Sequence, residues 1–388
     1  MKKKLVITCI VINVLIIGKA QDDDNVLGRQ ASLNPILTTV PFLTIAPDSR
    51  AGAMGDAGVA TSPDINSQQW NASKYVFMEQ KAGVALSYTP WLKNLGVTDL
   101  NLLYLAGYYK FDDKQTISGG LRYFNLGTIQ YTNSIGEPTT TGRPNEFALD
   151  AAYSRLFGEN FSGGILFRFI YSDIAANTGG LTGNEYNPGI SVASDLSIYY
   201  QKPMQISRND AEMAIGLNIS NIGTKMAYSS SDDKEFIPTN MRLGGRFSVN
   251  LDEYNSLGIT VDLNKLLVPT PPKRSEDDIN VIEAGKEDNV GPIQGLIQSF
   301  YDAPGGFSEE MKEILISVGG EYWYRNQFAV RAGYFHEAQM KGNRKYFTAG
   351  IGLKLNIFSL DFSYLIPSGG RTSPLANTMR FTLGFAFE

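Results

Sequence analysis

Fourteen stretches of the sequence alternate between apolar and polar residues over the length of a β-strand. The connections after the even-numbered stretches are short, like the periplasmic turns of a membrane barrel. Those after the odd-numbered stretches are mostly long, like its outer loops. An even number of strands is also what bacterial single-chain barrels require. The pattern predicts an all-β fold, a 14-stranded antiparallel transmembrane β-barrel over residues 81–388. The predicted strands are residues 81–90, 99–111, 115–126, 145–157, 160–173, 191–202, 211–221, 238–250, 255–267, 313–325, 327–336, 346–356, 358–366 and 378–388.

The last predicted strand shows this pattern clearly. Phe381, Leu383, Phe385 and Phe387 fall on one face, and the residues between them are small or polar. A wholly apolar face on a terminal strand suits a barrel, because the barrel needs that face against lipid. A soluble sandwich or propeller is the alternative that such a short-range pattern leaves open.

The charged residues inside the predicted strands also share one face. Arg122 and Arg168, for example, each lie between two apolar neighbours. A charge at the lipid midplane costs about 2 to 4 kcal/mol, so this face should point into the lumen. Both signs occur, which predicts a self-neutralising lumenal network rather than a selectivity filter with an excess of one sign. The other members of the set are Asp150, Asp195, Arg242, Arg246, Asp262, Glu321, Arg331, Lys354, Asp361 and Arg380.

Residues 1–20 have the layout of a secretory signal peptide. Lysines at positions 2–4 precede an apolar stretch at residues 5–17 and a small-residue cleavage signal at residues 18–20. This layout predicts an exported protein whose mature chain starts at Gln21. The only cysteine, Cys9, would leave with the peptide, so no disulfide or thiolate chemistry is expected. The net charge of −5, without a basic stripe, argues against nucleic acid as a partner.

Residues 21–80 precede the first predicted strand and are rich in small residues between Ala46 and Ala60. Small residues permit close backbone packing, and wall side chains alone cannot fill the lumen of a barrel of this size. We therefore predict that this segment is a plug inside the barrel. The glycines at positions 52, 55 and 58 lack the preceding strand and the following Lys-Ser/Thr of a phosphate loop, which argues against a nucleotide site.

Two charged residues of the plug segment are expected to anchor it to the wall. The small residues around Asp48 and Arg50 allow close approach, and the predicted lumenal face carries both signs of charge. We predict ion pairs between these two residues and lumenal charges such as Arg122, Arg242 or Asp262.

Parts of this segment resemble a known family. Residues 34–43 (NPILTTVPFL), 46–64 (APDSRAGAMGDAGVATSPD) and 70–74 (WNASK) are similar to the N-terminal signature of the PorV family of the type IX secretion system, within the FadL-like barrel superfamily. That superfamily typically has Asn-Pro-Ala where this chain has Asn71-Ala72-Ser73. The residues of the plug motif are Asp48, Arg50, Gly52, Met54, Gly55, Trp70 and Asn71.

The resemblance implies an outer-membrane protein without enzymatic activity. Proteins of the PorV family are understood to recognise the folded C-terminal signal domain of exported cargo at the translocon barrel. They carry the cargo to the complex that cleaves the signal and attaches the cargo to the cell surface. The implied partners are therefore the translocon, cargo signal domains, the attachment complex and outer-membrane lipid. FadL-like barrels also move fatty acids and hydrocarbons, so uptake of a small hydrophobic molecule is the alternative.

The sequence offers little catalytic chemistry. The chain has a single histidine, His336, near the end of a predicted strand, and no spacing points to triad or metal partners for it. We find no G-x-S-x-G elbow, no H-E-x-x-H motif and no Asp-rich calcium loop. We therefore expect no catalytic residue, no metal and no cofactor.

The long outer loop at residues 268–312 is the main candidate for partner binding. Its first part is rich in proline and charge, which favours an extended segment. Its second part is predicted to form a short amphipathic helix with Pro292 at the first position and Gly305-Gly306 at its end. The apolar stripe of this helix either caps the barrel mouth or contacts cargo or translocon. The candidate partner-binding residues are Ile293, Leu296, Ile297, Phe300, Tyr301 and Phe307, with Trp91 and more weakly Leu92, Leu181 and Tyr186 in other outer loops.

Overall fold

The computed structural model describes residues 33–92, 99–133, 135–174, 176, 187–228, 234–368, 375 and 377–388. The predicted signal peptide, the first twelve residues of the plug segment and the candidates Leu181 and Tyr186 lie outside these ranges. In the described part of the chain, no helix is long and apolar enough to cross a bilayer.

Fourteen antiparallel strands form a closed barrel, with each strand paired to its neighbour along the chain and the first strand paired to the last. The barrel strands are β1 (Ala82–Pro90), β2 (Leu100–Asp112), β3 (Gln115–Leu126), β6 (Asn145–Leu156), β7 (Phe161–Asp173), β8 (Gly189–Ile206), β9 (Asn209–Gly223), β10 (Asn240–Asn250), β11 (Asn255–Leu266), β14 (Leu315–Tyr324), β15 (Phe328–His336), β16 (Lys345–Leu355), β17 (Phe358–Pro367) and β18 (Met379–Phe387). Each predicted strand overlaps one of these, so the predicted fold is confirmed.

The two faces of the wall follow the alternation in the sequence. On β18, the side chain of Phe381 is 41% exposed on the lipid side, whereas that of Arg380 is 2% exposed inside the barrel. Phe381 packs against Phe362 of β17 with a ring separation of 5.2 Å. Closure of the barrel pairs Leu86 of β1 with Leu383 of β18. The outer surface is thus a continuous apolar belt, and the lumen carries the charges.

The two ends of the barrel differ in their connections. At one end the strands join through tight turns, in which Asn326 and Asn356 adopt positive φ angles of 53° and 50°. At the other end lie the long loops, which contain two hairpins that the sequence analysis missed: β4 (Ile129–Thr132) with β5 (Pro138–Gly142), and β12 (Lys273–Arg274) with β13 (Ile282–Ala284). The end with the tight turns faces the periplasm and the end with the long loops faces outward.

Short helices complete the structure. The plug segment contains α1 (Ser49–Gly52), α2 (Ser67–Trp70) and two 3₁₀ turns, Pro41–Thr44 and Ala72–Phe77. The loop between β11 and β14 contains α3 (Pro292–Gln298) and α4 (Phe307–Lys312), and a 3₁₀ turn, Gln339–Lys341, lies in the next outer loop.

The plug runs through the lumen from one end to the other. Near the outer mouth, Val40, Phe42 and Leu43 are almost completely buried against the wall. Near the periplasmic end, Tyr75 stacks on Tyr108 of β2 with a ring separation of 5.1 Å. We call the apolar group at the outer mouth the outer cluster. It contains Val40, Phe42, Leu43, Leu102, Phe124, Ala148, Ile170, Ala193, Met226 and Ile237.

Candidate functional site

Arg50 ties the plug to the wall through an ion-pair chain. Its guanidinium donates to both carboxylate oxygens of Glu321 on β14, at 3.0 and 2.8 Å, and to Asp64 within the plug at 2.9 Å. Glu321 also accepts from Arg331 at 2.6 Å, and Arg331 donates to Asp361 at 2.6 Å. Arg50 therefore pairs with a lumenal charge as expected, but the partner is Glu321 rather than Asp262. A two-pronged Arg–carboxylate contact fixes orientation as well as distance.

The prediction that Asp48 pairs with lumenal charges was wrong. One carboxylate oxygen of Asp48 accepts from the backbone N–H of Ala51 at 2.9 Å and caps α1. The other accepts from the indole N–H of Trp70 at 2.6 Å. Both oxygens are thus engaged inside the plug, because a residue at a helix N-cap turns its side chain back onto the first turn. Asp48 and Trp70 lock two parts of the plug motif to each other.

The wall charges named as partners do hold the plug, but through its backbone. Arg122 donates to the carbonyl of Leu43 at 2.8 Å, and Asp262 accepts from the backbone N–H groups of Gly58 and Val59 at 2.7 and 2.9 Å. Arg242 lies over the Trp70 ring at 5.2 Å. Arg242 also donates to the carbonyl of Gln69 at 3.4 Å. The hydrogen bonds of these three wall residues satisfy buried main-chain groups of the plug.

The small residues of the motif are needed for close approach to the wall. Gly55 has a φ of +69°, and a Cβ at this position would lie 2.6 Å from the carbonyl oxygen of Tyr334. A Cβ at Gly52 would lie 2.8 Å from the Arg380 side chain. Met54 presses on the wall where Gly319 and Gly333 leave room. The run therefore serves packing, and its left-handed position suits glycine.

Asn71 and Lys74 close the periplasmic part of the plug. Asn71 donates to the carbonyls of Val59 and Ile198 at 3.1 and 2.9 Å and caps the turn that follows it. Lys74 is fully buried and donates to the carbonyl of Gly58 at 2.8 Å. Lys74 belongs to the motif, but its contact could not be predicted, because a carbonyl partner sixteen residues away leaves no pattern in the sequence.

A polar cavity of about 540 Å³ lies below the plug, at the periplasmic end. Its lining includes Arg50, Asp64 and Glu212 together with Arg246 and Lys354. Ligand sites for hydrophobic molecules are lined mainly by apolar and aromatic side chains. This cavity is therefore poorly suited to a fatty acid chain or a hydrocarbon.

The outer loop carries the second candidate site. The predicted helix exists as α3, and Ile293, Ile297 and Phe300 point away from the barrel with 62%, 56% and 47% of their surface exposed. Tyr301 and Phe307 follow at 56% and 79%. We call these five residues the outer stripe. The remaining predicted member, Leu296, is half-buried.

The stripe does not cap the barrel mouth. The opposite face of α3 packs inward, and a Cβ at Gly295 would lie 2.8 Å from the Phe236 ring and 3.0 Å from Pro269. The predicted end of the helix at Gly305-Gly306 was also wrong. The helix ends at Gln298, and Gly306, with a φ of 65°, instead precedes α4. Phe307 consequently lies on the first turn of a second helix, where its side chain is exposed.

Five buried charged residues hold this loop, and we call them the loop base: Lys265, Glu309, Glu310, Glu313 and Lys341. Lys265 pairs with Glu310 at 3.0 Å, and Lys341 pairs with Glu309 and Glu313 at 2.6 and 2.9 Å. The loop base thus joins α4 to the end of β11 and to the next outer loop. Glu309, Glu310 and Glu313 form an acidic run in the sequence, and this run was the signal that could have located the loop base. A stripe on such a support is presented in a fixed geometry rather than on a free loop.

Asp302 gives the loop base a pH dependence. Burial, the largest cause, together with the neighbouring Glu310 and Glu313 raises the pKa of its carboxyl to about 6, against the lowering effect of the hydrogen bond from Thr270. The pKa of Asp302 is thus higher in the folded protein than the ordinary value of 3.8, so folding favours the protonated carboxyl. The resulting stabilisation of the loop is complete below about pH 4 and is lost as the pH rises through about 6.

We therefore expect Asp302→Asn to stabilise the loop at neutral pH, because the amide carries no charge and can still accept from Thr270. Amide hydrogen exchange of residues 267–314, corrected for intrinsic rates, should be slower in the variant than in the wild type at pH 7.5. The difference should shrink at pH 5. Equal exchange at both pH values would contradict this role of Asp302.

Trp91 and His336 lie elsewhere. Trp91 is half-buried and packs against the outer cluster rather than joining the outer stripe. His336 ends β15, and its Nδ1 is 3.5 Å from the hydroxyl of Tyr334. Within the described ranges, no group of three or more His, Cys, Asp or Glu side chains could hold a metal ion. Leu92 is described but is not part of the outer stripe.

The closed barrel of fourteen strands, its apolar outer belt and its lumenal plug define an outer-membrane β-barrel with a plugged lumen. The chain is similar to several solved structures, and the first of them supports the fold. A TodX deltaS2S3 mutant monoaromatic hydrocarbon channel is 11% identical, with a TM-score of 0.50, over 87% of this chain and 96% of its own. The toluene transporter TodX of P. putida is 10% identical (TM-score 0.48; 89% and 99% covered). A Pseudomonas aeruginosa FadL homologue is also 10% identical (TM-score 0.42; 92% and 100% covered).

The family is defined by sequence. Residues 28–273 match the model of the type IX secretion system protein PorV. The chain therefore belongs to the PorV family and is an outer-membrane component of type IX secretion. No curated protein sequence matches it significantly.

Proposed function

We propose that the outer stripe is the docking site through which this protein binds the C-terminal signal domain of exported cargo at the translocon. From there it carries the cargo to the surface attachment complex. One observation carries the proposal: five large apolar side chains are exposed to water on a buried, ion-paired support outside the membrane. Large apolar side chains exposed together on one loop mark a candidate contact site for another protein. Aromatic side chains, such as Phe300, Tyr301 and Phe307, also dominate the energetics of interfaces.

The interior supports the same proposal against hydrophobic uptake. The plug crosses the lumen, its outer end is packed into the outer cluster, and its middle is fixed by Arg50. The cavity below it is lined by charges of both signs. A hydrophobic molecule moving through this barrel would have to break a buried ion-pair chain. This would cost free energy, because the charged groups would be left buried without partners.

Gentle extraction from membranes tests the choice between the two functions. The docking proposal predicts that the protein leaves the membrane with the translocon barrel and with cargo that carries C-terminal signal domains. Mass spectrometry of the purified material identifies both proteins and small molecules. Recovery of the protein alone with a stoichiometric fatty acid or hydrocarbon in the lumen would instead support uptake.

The proposed role requires no catalytic residue, and His336 provides the test. We expect His336→Ala to leave cargo display at the cell surface unchanged at equal protein level, because the imidazole lies at the end of β15 and its contact to the Tyr334 hydroxyl is long, at 3.5 Å. Surface display is measured by labelling a tagged cargo on intact cells. Loss of display in a variant that still shows the heat-resistant gel mobility of a folded barrel would reopen the enzymatic interpretation.

A further inference from the structure

The lipid-facing wall carries a groove near the start of β7. Large apolar side chains cover most of this face, but Gly163 contributes no side chain and leaves a notch. The notch is part of a groove of about 550 Å³ that crosses the wall from β6 to β9. The lining of the groove is almost wholly apolar and includes Tyr153, Phe157, Ile165 and Ile198. The groove is therefore as large as many small-molecule binding pockets.

The groove lies in the periplasmic half of the membrane. Gly163 is close to the start of β7, which follows the tight turn that joins it to β6. Phe157 lies in this turn, and a Cβ at Gly163 would be 2.8 Å from its ring. The ring of Phe157 is also 6.1 Å from that of Phe161. Since aromatic side chains at strand ends are typical of the membrane interface, the groove extends from the interface into the hydrocarbon region.

Arg155 is the charged residue of the groove lining. It lies directly opposite Gly163 in the β6–β7 pair, and opposite residues of an antiparallel pair point to the same face of the sheet. The guanidinium is therefore on the lipid side, near the end of β6 and at the level of the lipid headgroups. Arg168 on the next strand pairs with Asp150 inside the lumen at 2.7 Å, whereas Arg155 has no ion-pair partner among the described residues.

We propose that this groove binds a phospholipid of the periplasmic leaflet, with one acyl chain in the notch at Gly163 and the phosphate on the guanidinium of Arg155. Shape and charge together favour this occupant. An apolar groove suits a hydrocarbon chain, and a guanidinium can donate two parallel hydrogen bonds to phosphate oxygens. The flat apolar face of a second barrel would leave the notch unfilled and Arg155 without an anion. The site is on the outside of the wall, so it does not depend on the function proposed above.

Native mass spectrometry of the purified protein tests the site. The protein in dodecyl maltoside is titrated with dioleoylphosphatidylglycerol, and the lipids bound to the folded barrel are counted. We expect one lipid to bind more tightly than all others. Gly163→Val fills the notch and Arg155→Gln removes the charge, so each variant should bind this first lipid at least about fivefold more weakly. Heat-resistant gel mobility shows that each variant is folded.

Two matched controls add the same side chain, or remove the same charge, elsewhere. Gly320 lies opposite the exposed Ile259 on the lipid face, and a Cβ there would meet only the carbonyl oxygen of Gly258, at 3.9 Å. Lys114 lies in the periplasmic turn between β2 and β3. Gly320→Val and Lys114→Gln should therefore bind the first lipid as tightly as the wild type does. An unchanged affinity in either folded groove variant would overturn the proposal.

Two partial ligands separate the contributions of chain and phosphate. Dioleoylglycerol has the acyl chains without the phosphate, and glycerol phosphate has the phosphate without the chains. Each should bind more weakly than the phospholipid, and Arg155→Gln should remove the difference between the phospholipid and dioleoylglycerol. Equal binding of these two lipids by the wild type would overturn the proposal. A protein dimer that forms in place of the lipid complex, and is lost in Gly163→Val, would also overturn it and assign the groove to a second copy of the chain.

Discussion

Replacing Arg50 with methionine should loosen the plug while leaving the barrel wall assembled. The substitution keeps much of the apolar stem but removes the two contacts to Glu321 and the contact to Asp64. Breaking a buried pair by removing one partner costs about 3 to 5 kcal/mol. We expect the lower end of this range, because Glu321 keeps its second partner, Arg331.

The reactivity of a buried thiol measures this loosening. Ala57 is fully buried in the plug, so Ala57→Cys reports on its opening. Adding Arg50→Met should raise the labelling rate of that thiol by about a hundredfold, the factor that corresponds to roughly 3 kcal/mol of opening free energy. Arg246→Met is the matched control, since Arg246 pairs with Glu212 on the wall rather than with the plug. An unchanged labelling rate in the Arg50 variant would show that the ion-pair chain does not hold the plug.

Replacing both Ile297 and Phe300 with aspartate should abolish most cargo display while the barrel still folds. Both side chains are about half exposed, so the charges enter water and the wall is untouched. At a docking surface, loss of two central anchors costs about 2 kcal/mol or more each, which corresponds to a large loss of affinity. Heat-resistant gel mobility checks folding, and labelling of a tagged cargo on intact cells checks function.

Ile135→Asp is the control for this pair. Ile135 is 76% exposed in an outer hairpin that is separate from the outer stripe, so the change adds a similar charge to the same side of the membrane. Display should remain normal in this variant. Normal display in the Ile297/Phe300 double variant would remove the docking role from the stripe. Loss of the folded barrel in that variant would mean that the stripe has a structural role.

The strand number and the two faces of the wall could be predicted because both depend on local alternation. A transmembrane strand repeats its pattern over about ten residues, and lipid on one side makes the pattern strict. The β12–β13 hairpin lacked this signal, since Lys273 and Arg274 lie in water and have no lipid face. The end of α3 was missed because the helix stops at Gln298, well before the glycine pair at residues 305–306 that the pattern predicted as its end.

The lumenal contacts were predictable in kind and not in detail. The sequence placed Arg50 in the plug and Glu321 on the inner face, but the two are 271 residues apart and are brought together only by closure of the barrel. The Asp48 prediction failed because a local helix cap satisfied the carboxylate first. Arg122 and Asp262 bind main-chain groups of the plug, and the exposure of those groups cannot be read from residue types.

Direct binding to a cargo signal domain tests the central claim. The purified barrel in detergent is titrated with an isolated C-terminal signal domain of a type IX cargo, and the affinity is measured by calorimetry. We expect saturable binding by the wild type and by Ile135→Asp. The variant with aspartate at both Ile297 and Phe300 should bind at least about tenfold more weakly. Equal affinity in all three proteins, or no binding by the wild type, would contradict the central claim.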